Sequence, residues 1–515
     1  MSNSCTGFYS FNELARSTGG GLHMSDDARC VLTLPLVTEP WQDDILETRF
    51  KIVEHLQNSL IAMELRKLKN LERTKAWRSL QKAIEEQPKE KRSALYKQRK
   101  KMLQDAGFSE FTFKADMSPM QKHFVPHIAN HIVYRTASDV WRAFDKFLYG
   151  NGKAVHRKRR GSLRSIASKE VGGGMRYKDG VFYWDGGRCP EKIKLSIRVE
   201  RPCTDYEKEM LKLPIKYFRV IRKWMKTRYK YYLQFNFAGN AVIKDHPIGT
   251  SRVGIDIGTQ SIAISSAQNV SLLELADQVN PKYAELRQVQ RAMDRSRRAM
   301  NPENYNEDGT IRKGVKLYWK QSNRYRKLAG RARELQRKNA DIRKYQHTCL
   351  ANDILALGTE IYVEPMDYRA LQKRVKKTEK NKEGRFKRKK RFGKSLANKA
   401  PAMLLLILEN KLKSMGLGGL HKVDKWQYRA SQYDHLSRKY RRKKLGQRTQ
   451  TLQNGDIVQR DLYSAFLLMN ADDTRTHPEQ ALCDQTYPRF KRLHDIEIQR
   501  LLNDDKPHLS SFGIA

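Results

Sequence analysis

Acidic residues are scarce in this chain. Its 515 residues include 56 Asp and Glu against 101 Lys and Arg, which leaves a formal net charge of +45 at pH 7. An excess of that size calls for an anionic partner. Cysteine is also sparse: six residues, at 5, 30, 189, 203, 349 and 483, with no two closer than 14 positions and therefore no CxxC pair. A disulfide framework and a zinc site assembled from local cysteine motifs are both excluded, and reduced thiols are expected. Long hydrophobic runs are missing as well. The longest, APAMLLLIL at 400–408, falls far short of the ~20 residues needed to span a bilayer. The N-terminal MSNSCTGFYSFNELARS has no charged start followed by an apolar stretch, so no secretory signal is expected and the protein is read as intracellular.

What is present is enough to fold. Hydrophobic residues make up 39% of the chain, well above a disordered polyelectrolyte, and the length suggests about three domains. A histone-like tail protein is excluded. The positive charge is spread through every region rather than gathered on one amphipathic helix, which favours nucleic acid over an acidic membrane surface as the partner.

Along the chain, residues 1–27 are rich in Ser and Gly and read as a flexible leader. RCVLTLPLV reads as a short strand. Pro40 then opens a long helical stretch in which Ile45, Phe50, Ile52, Val53, Leu56, Leu60 and Ile61 recur at helical spacing. The helical texture, with basic faces, is expected to persist to about 165. From about 173, MRYKDGVFYW and YKYYLQFNF have the period of strands. In the second, Tyr229, Tyr231, Leu233, Phe235 and Phe237 alternate with polar or charged neighbours and Tyr232, so one aromatic face is expected to be barrel core rather than a base-stacking platform. Beyond Arg252, the order strand pair, two basic helical segments, strand, core helix, strand and helix suits an α/β domain with a central mixed sheet. A single core helix is expected over 396–415, ending at Gly416, and the tail from 471 is expected to be peripheral.

Three acids in this second part carry chemistry. In VGIDIG, Val253, Ile255 and Ile257 face one side of a strand and Asp256 the other, between glycines that allow close approach of a ligand. In EIYVEP, Ile361 and Val363 face the core, Tyr362 and Glu364 face away, and Pro365 stops the strand at the acid. Glu360, at the strand's beginning, is read as solvent-exposed. Asp461 lies in the first turn of a helix whose apolar stripe is Leu462, Ala465, Phe466 and Met469; alone it would be an ordinary acid at a helix N-terminus. Asp456 in NGD is read as a turn residue. Three carboxylates on separate elements of one α/β core suit two hard cations such as Mg²⁺, which take oxygen ligands and substrate phosphate together. Phosphodiester cleavage is the natural reaction, and the surrounding basic excess offsets the repulsion between such a site and nucleic acid.

VGIDIGTQSIAIS, IYVEPMDYRAL and VQRDLYSAFLLMN, in that order and divided by a basic helical pair, resemble the three RuvC motifs of TnpB, the nuclease of IS200/IS605-type transposons, and of the miniature type V CRISPR effectors. The resemblance covers about 250–470 well, and 28–250 only in architecture. It implies a multidomain α+β protein: an RNase H-like (RuvC) α/β nuclease domain over 251–420 and 456–470, preceded by a β-barrel wedge domain over 28–40 and 173–250 that is interrupted by a helical recognition lobe over 41–172. It also implies an insert over 421–455 and a C-terminal tail over 471–515. By resemblance, Asp256, Glu364 and Asp461 are the metal-binding catalytic residues, two Mg²⁺ ions the cofactors, and a guide RNA and double-stranded target DNA the partners. Target DNA would be cut after guide pairing and a check of a short flanking motif (TAM or PAM). A prokaryotic, nucleoid-associated protein is implied, monomeric or homodimeric. The family's four-cysteine zinc knuckle between the second and third motifs is absent: 421–455 holds no cysteine, so no zinc is predicted, and His435 is read as a surface or core-edge residue. The basic runs 373–394 and 438–444 are expected to meet guide or target phosphates. A guide-directed repressor without cleavage, and an RNase H-like transposase acting on transposon ends, remain the alternatives.

Overall fold

The computed structural model describes residues 29–150, 152–202, 204–239, 242, 246–373, 383–384, 392–444, 446–505 and 507–513. The expected leader 1–27 and most of the basic run 373–394 lie outside the described residues. Two compact units divide the described residues, one ending at Val242 and the other lying beyond it.

In the first unit β1 (Arg29–Val37) leads into α1 (Pro40–Glu72), α2 (Lys75–Glu86), α3 (Ser93–Asp105), α4 (Glu110–Gln121) and α5 (Asn130–Leu148). Pro40 takes the first helical position, where a missing N–H costs no hydrogen bond, and Glu39 and Gln42 close a reciprocal capping box. The strands β2 (Ser165–Ala167), β3 (Met175–Lys178), β4 (Val181–Trp184) and β5 (Ser196–Val199) follow, then α6 (Asp205–Leu211), β6 (Ile215–Met225) and β7 (Arg228–Ala238). They form one sheet in the order β2-β6-β7-β1-β5-β4-β3.

That sheet is curled. Phe182 on β4 lies 6.2 Å from Phe218 on β6, and Tyr177 on β3 lies 4.9 Å from Phe235 on β7. Each pair of strands is four positions apart in the sheet, about 19 Å if it were flat. Among the described residues no ladder joins the edge strands β2 and β3, so the expected barrel is a curled sheet with open edges. Tyr231, Leu233, Phe235 and Phe237 are buried, as their alternation predicts. The helices do not stand apart from the sheet: Phe50 and Leu60 of α1, Phe113 of α4 and Phe144 of α5 share one core with Trp184 and Phe235. Helix also ends earlier than expected, at Leu148, and β2 lies inside the stretch read as helical. Three residues of strand carry too few alternations to show a period.

The second unit begins with β8 (Arg252–Ile257), β9 (Ser261–Ser266), β10 (Val270–Glu274), α7 (Asn280–Met300), α8 (Asn323–Leu357), β11 (Glu360–Val363) and α9 (Tyr368–Leu371). It continues through α10 (Gly393–Lys399), α11 (Pro401–Ser414), β12 (His421–Lys422), two short strand pairs β13 (Tyr433–Asp434) with β14 (Lys439–Tyr440) and β15 (Thr449–Thr451) with β16 (Ile457–Gln459), and then α12 (Arg460–Met469) and α13 (Gln480–Leu502). The central sheet runs β10-β9-β8-β11-β12, antiparallel through β8 and parallel from β8 to β12. On one face Val253, Ile255, Ile361 and Val363 pack with Ile354 of α8 and Leu404 and Leu408 of α11. On the other, Ala263, Leu272 and Tyr362 pack with α12 and α13.

Three expectations differ from this arrangement. Tyr362 does not face away from a core, because both faces of the parallel strands are covered, as is usual for such strands. The single helix expected over 396–415 breaks at Ala400, whose φ of 46° is left-handed; a residue before proline is driven out of the right-handed helix. The tail from 471 is not peripheral: α13 lays Cys483, Tyr487, Phe490 and Leu501 into the core. Its buried stripe also contains His494 and Glu497, which masks the apolar period. Both are satisfied there, Glu497 Oε1 accepting from the Leu272 backbone N–H at 2.8 Å and His494 Nε2 accepting from that of Gln459 at 2.9 Å.

Candidate active site

The ladder between β8 and β11 pairs Val363 with Ile255 in parallel. One position further along, Asp256 and Glu364 therefore sit side by side at the carboxyl ends of neighbouring strands, with backbones about 4.8 Å apart. Open α/β sheets bind ligands at such strand ends. Their side chains share the face opposite Ile255 and Val363, which is the face that α12 covers.

Contacts along α12 give its direction. Arg252 Nη1 donates to the Ala471 carbonyl at 3.0 Å just past the helix end; Gly254 lies against Ala465 and Met469; and the Ser464 hydroxyl, near the helix start, is close enough to Asp256 to pull its carboxyl down. The helix thus runs antiparallel to β8 and carries Asp461, in its first turn, toward Asp256. Gly254 makes this approach work: a Cβ there would stand 1.9 Å from the Ala465 carbonyl oxygen. The glycine expected to admit a ligand backbone instead admits a helix.

All three acids line one cleft of about 580 Å³, half-buried each. Burial first, then the charges of Asp461 and Glu364, pushes the Asp256 carboxyl well above the usual carboxylate range, against the pull of Arg460 and the Ser464 hydroxyl. Burial also raises Glu364, with Lys425 opposing. A fourth acid in the cleft, Asp367, is committed elsewhere: it caps α9 by accepting from the Arg369 and Ala370 N–H groups at 3.0 Å, which holds its carboxyl below the ordinary value.

Sequence reasoning missed the cations. Lys425, Arg448 and Arg460 line the same cleft. Arg460 Nε and Nη2 both lie 3.1 Å from Asp461 Oδ1, and its Nη1 donates to the Gln447 carbonyl at 3.0 Å. Tyr368 was missed too; burial and the Asp256 charge both push its phenol up, and its hydroxyl is buried without a partner. Arg460 and Ser464 flank Asp461 at i−1 and i+3, a local signal that was available. Lys425 and Tyr368 had none.

The other sequence candidates separate from the cleft. Glu360 pairs with Arg252 at 3.4 Å, and Asp456 accepts from Asn454 Nδ2 and Tyr487 OH, both at 2.6 Å. His435 is fully buried rather than at a surface or core edge, with Nδ1 2.6 Å from the Tyr463 hydroxyl and Nε2 unpartnered. In the run 438–444, Lys443 is half-buried and donates to the Ser431 carbonyl at 2.9 Å; burial and Arg460 lower its ammonium to about 8. Cys30, Cys189, Cys349 and Cys483 are free thiols. Among the described residues no helix is long and apolar enough to cross a membrane.

Among the described residues, no three His, Cys, Asp or Glu side chains are gathered closely enough to chelate a metal on their own. Three oxygen donors lining one cleft, with Asp256 raised by burial and then by its two acidic neighbours, nevertheless match the chemistry of hard divalent cations. Such ions need only one or two carboxylates each when water and phosphate complete the shell.

No protein-family model matches the chain, and no curated protein matches it. Among solved structures it is similar to a cryo-EM structure of a Cas12f1-sgRNA-target DNA complex, at 11% identity and a TM-score of 0.47, over 87% of this chain and 99% of that one. It is also similar to a cryo-EM structure of a CRISPR-Cas12f ternary complex, at 12% identity and a TM-score of 0.27, over 83% of this chain and 82% of that one. Likenesses this loose fix neither fold nor activity.

Proposed function

We propose that this chain is an RNA-guided endonuclease that hydrolyses DNA phosphodiesters at Asp256, Glu364 and Asp461. One observation carries the reading: two acids at adjacent parallel strand ends and a third on an antiparallel helix across them line a single cleft. The ordered likeness of the three surrounding motifs to the RuvC motifs of TnpB and the miniature type V effectors supports it, as does the charge of +45. Guide pairing would choose the sequence, and the protein would hold backbones and check a flanking duplex motif.

In this mechanism Asp256 and Glu364 would supply carboxylate oxygen ligands to the metal ions from the sheet, and Asp461 would supply them from the helix. When bound, two Mg²⁺ ions would supply an acidified water and charge stabilisation on the phosphate. The Ser464 hydroxyl, whose hydrogen goes to the Arg460 carbonyl at 2.9 Å, stands beside the Asp256 carboxyl and opposes its rise. Lys425, Arg448 and Arg460 attract the DNA backbone to a cleft that would otherwise repel it. The basic run 438–444 adds exposed cations at Arg441, Arg442 and Lys444 for the same backbone.

The test is expression of the protein with its native flanking DNA. A discrete co-purifying RNA, and plasmid cutting only when that RNA matches the plasmid and Mg²⁺ is present, are the expected results. Cutting of transposon ends without RNA would replace this reading with a transposase, and tight guided binding with no cutting would replace it with a repressor.

A further inference from the structure

Helices α7 and α8 pack through a small core of Leu286, Val289, Ala332 and Leu335. Beside it, α10 closes a groove of about 700 Å³, within the 300–1,000 Å³ range of small-ligand sites. Its lining is unusual in charge. Arg287 and Arg291 stand one turn apart on α7 in this groove, and among the described residues no hydrogen bond or ion pair engages either guanidinium. Like charges at that spacing destabilise a helix unless an anion lies between them. From α8, Arg343 faces the same space; it donates to the Ala397 and Asn398 carbonyls, and its Nε is buried without a partner. The one acid in the lining, Asp294, is already held by Arg297 at 2.6 Å and Arg298 at 3.1 Å.

A second observation points to more than phosphate. Asn339, one turn before Arg343 on α8, is 4% exposed and lines the groove, and its Oδ1 is buried with no hydrogen-bond partner. Buried amides in proteins are almost always paired. An amide pointing into a cationic groove matches the donor and acceptor edge of a nucleobase, and the ring of Tyr283 in the same lining offers a face for stacking.

We infer that this groove takes an unstacked nucleotide of a single-stranded nucleic acid, its phosphate against Arg287 and Arg291 and its base edge against Asn339. The groove adjoins the acid cleft in the chain: Phe392 lines the cleft, and the next two residues, Gly393 and Lys394, line the groove. A strand lying in one is therefore led toward the other. Ribose and deoxyribose strands share the required phosphate and base, so guide and target are both sources of the ligand.

The experiment is photocrosslinking of the full chain, in EDTA, to a short single strand carrying one 4-thiouracil or 4-thiothymine, with peptide mapping. Peptides spanning Arg287–Arg291 or Gln336–Arg343 are expected to crosslink, and the ribose or deoxyribose arm with the higher yield identifies the source. Combining Arg287→Gln with Arg291→Gln should cut that yield about tenfold by removing two phosphate contacts, with crosslinks elsewhere unchanged. Asn339→Leu, which fills the same space without polar atoms, should lower it while the protein melts as before. Crosslinks absent from both helices, or yields unmoved by these substitutions, would overturn the assignment. Because no cleavage occurs in EDTA, loss of this site and loss of the nuclease reading give different results.

Discussion

The carboxylate of Asp461 is held by the residue before it: Arg460 Nε and Nη2 each lie 3.1 Å from Oδ1. A divalent cation and this guanidinium must therefore compete for one carboxylate. Arg460→Ala removes the competitor, so Mn²⁺ affinity measured by titration calorimetry is expected to rise about tenfold, the equivalent of a modest charge interaction. Cleavage is expected to fall about 10–100-fold at saturating metal, because a cation that would meet the phosphate is lost. Metal affinity equal to that of the unaltered protein would reduce the pair to a structural contact.

Removing any one of the acids tests the site directly. Asp256→Ala, Glu364→Ala or Asp461→Ala should each lower plasmid cleavage by about a thousandfold or more, while gel-shift affinity for guide and target is kept. Full cleavage by one of the three would take that residue out of the site.

The close approach of α12 to the sheet makes a prediction at a residue that touches no substrate. Gly254→Ala would press a methyl group to within 1.9 Å of the Ala465 carbonyl oxygen, so the helix must lift away. A loss of roughly 2–4 kcal/mol in stability is expected from overpacking, with cleavage lost alongside it because Asp461 moves with the helix. Thermal melting equal to that of the unaltered protein would show that the sheet and helix have room to spare.

In the first unit, Glu64 is fully buried on α1, accepts from Lys67 at 3.2 Å, and has an unpartnered second oxygen. Burial pushes its carboxyl from 4.5 up to about 7, with Lys67 opposing. The folded protein thus holds this proton more tightly than the unfolded chain, so stability declines as pH rises from about 4.5 through about 7 and stays lower above that. Glu64→Gln should flatten that decline, melting close to the unaltered protein below the window and above it by roughly 1–3 kcal/mol at higher pH. A difference that does not change with pH would assign the decline to other groups.

Around His435 the insert packs as an aromatic core: Tyr463, Phe466 and Tyr487 rings lie within 5.8 Å of the imidazole. Tyr463 OH also accepts from the His435 backbone N–H at 3.1 Å. Tyr463→Phe leaves those groups unpaired and should cost about 1–3 kcal/mol in melting experiments. EDTA, by contrast, is expected to leave the melting temperature unchanged, since 421–455 holds no cysteine and the rings around His435 pack closely; a large drop with EDTA would restore a structural metal.

Asp256 and Glu364 were legible because a charge in an apolar strand breaks a two-residue period, and Pro365 marks where the second strand stops. The alternation of β7 was legible for the same reason. Asp461 stood out only beside the other two, since an acid in the first turn of a helix is ordinary. The core role of α13 was hidden because His494 and Glu497 interrupt its apolar stripe, and only their partners on β16 and β10 explain them.

The coarse division into a helical and strand-rich first part and an α/β second part, the basic character and the choice of the three acids as candidates follow from the amino-acid sequence alone, because periodicity and composition are properties of neighbours in the chain. The role of Gly254 as a seat for a helix, the cations Lys425 and Arg448 beside the acids, and the open groove at Asn339 were decided by tertiary structure. Each depends on how closely, and in which direction, elements far apart in the chain cross one another, and local period carries no information on that distance.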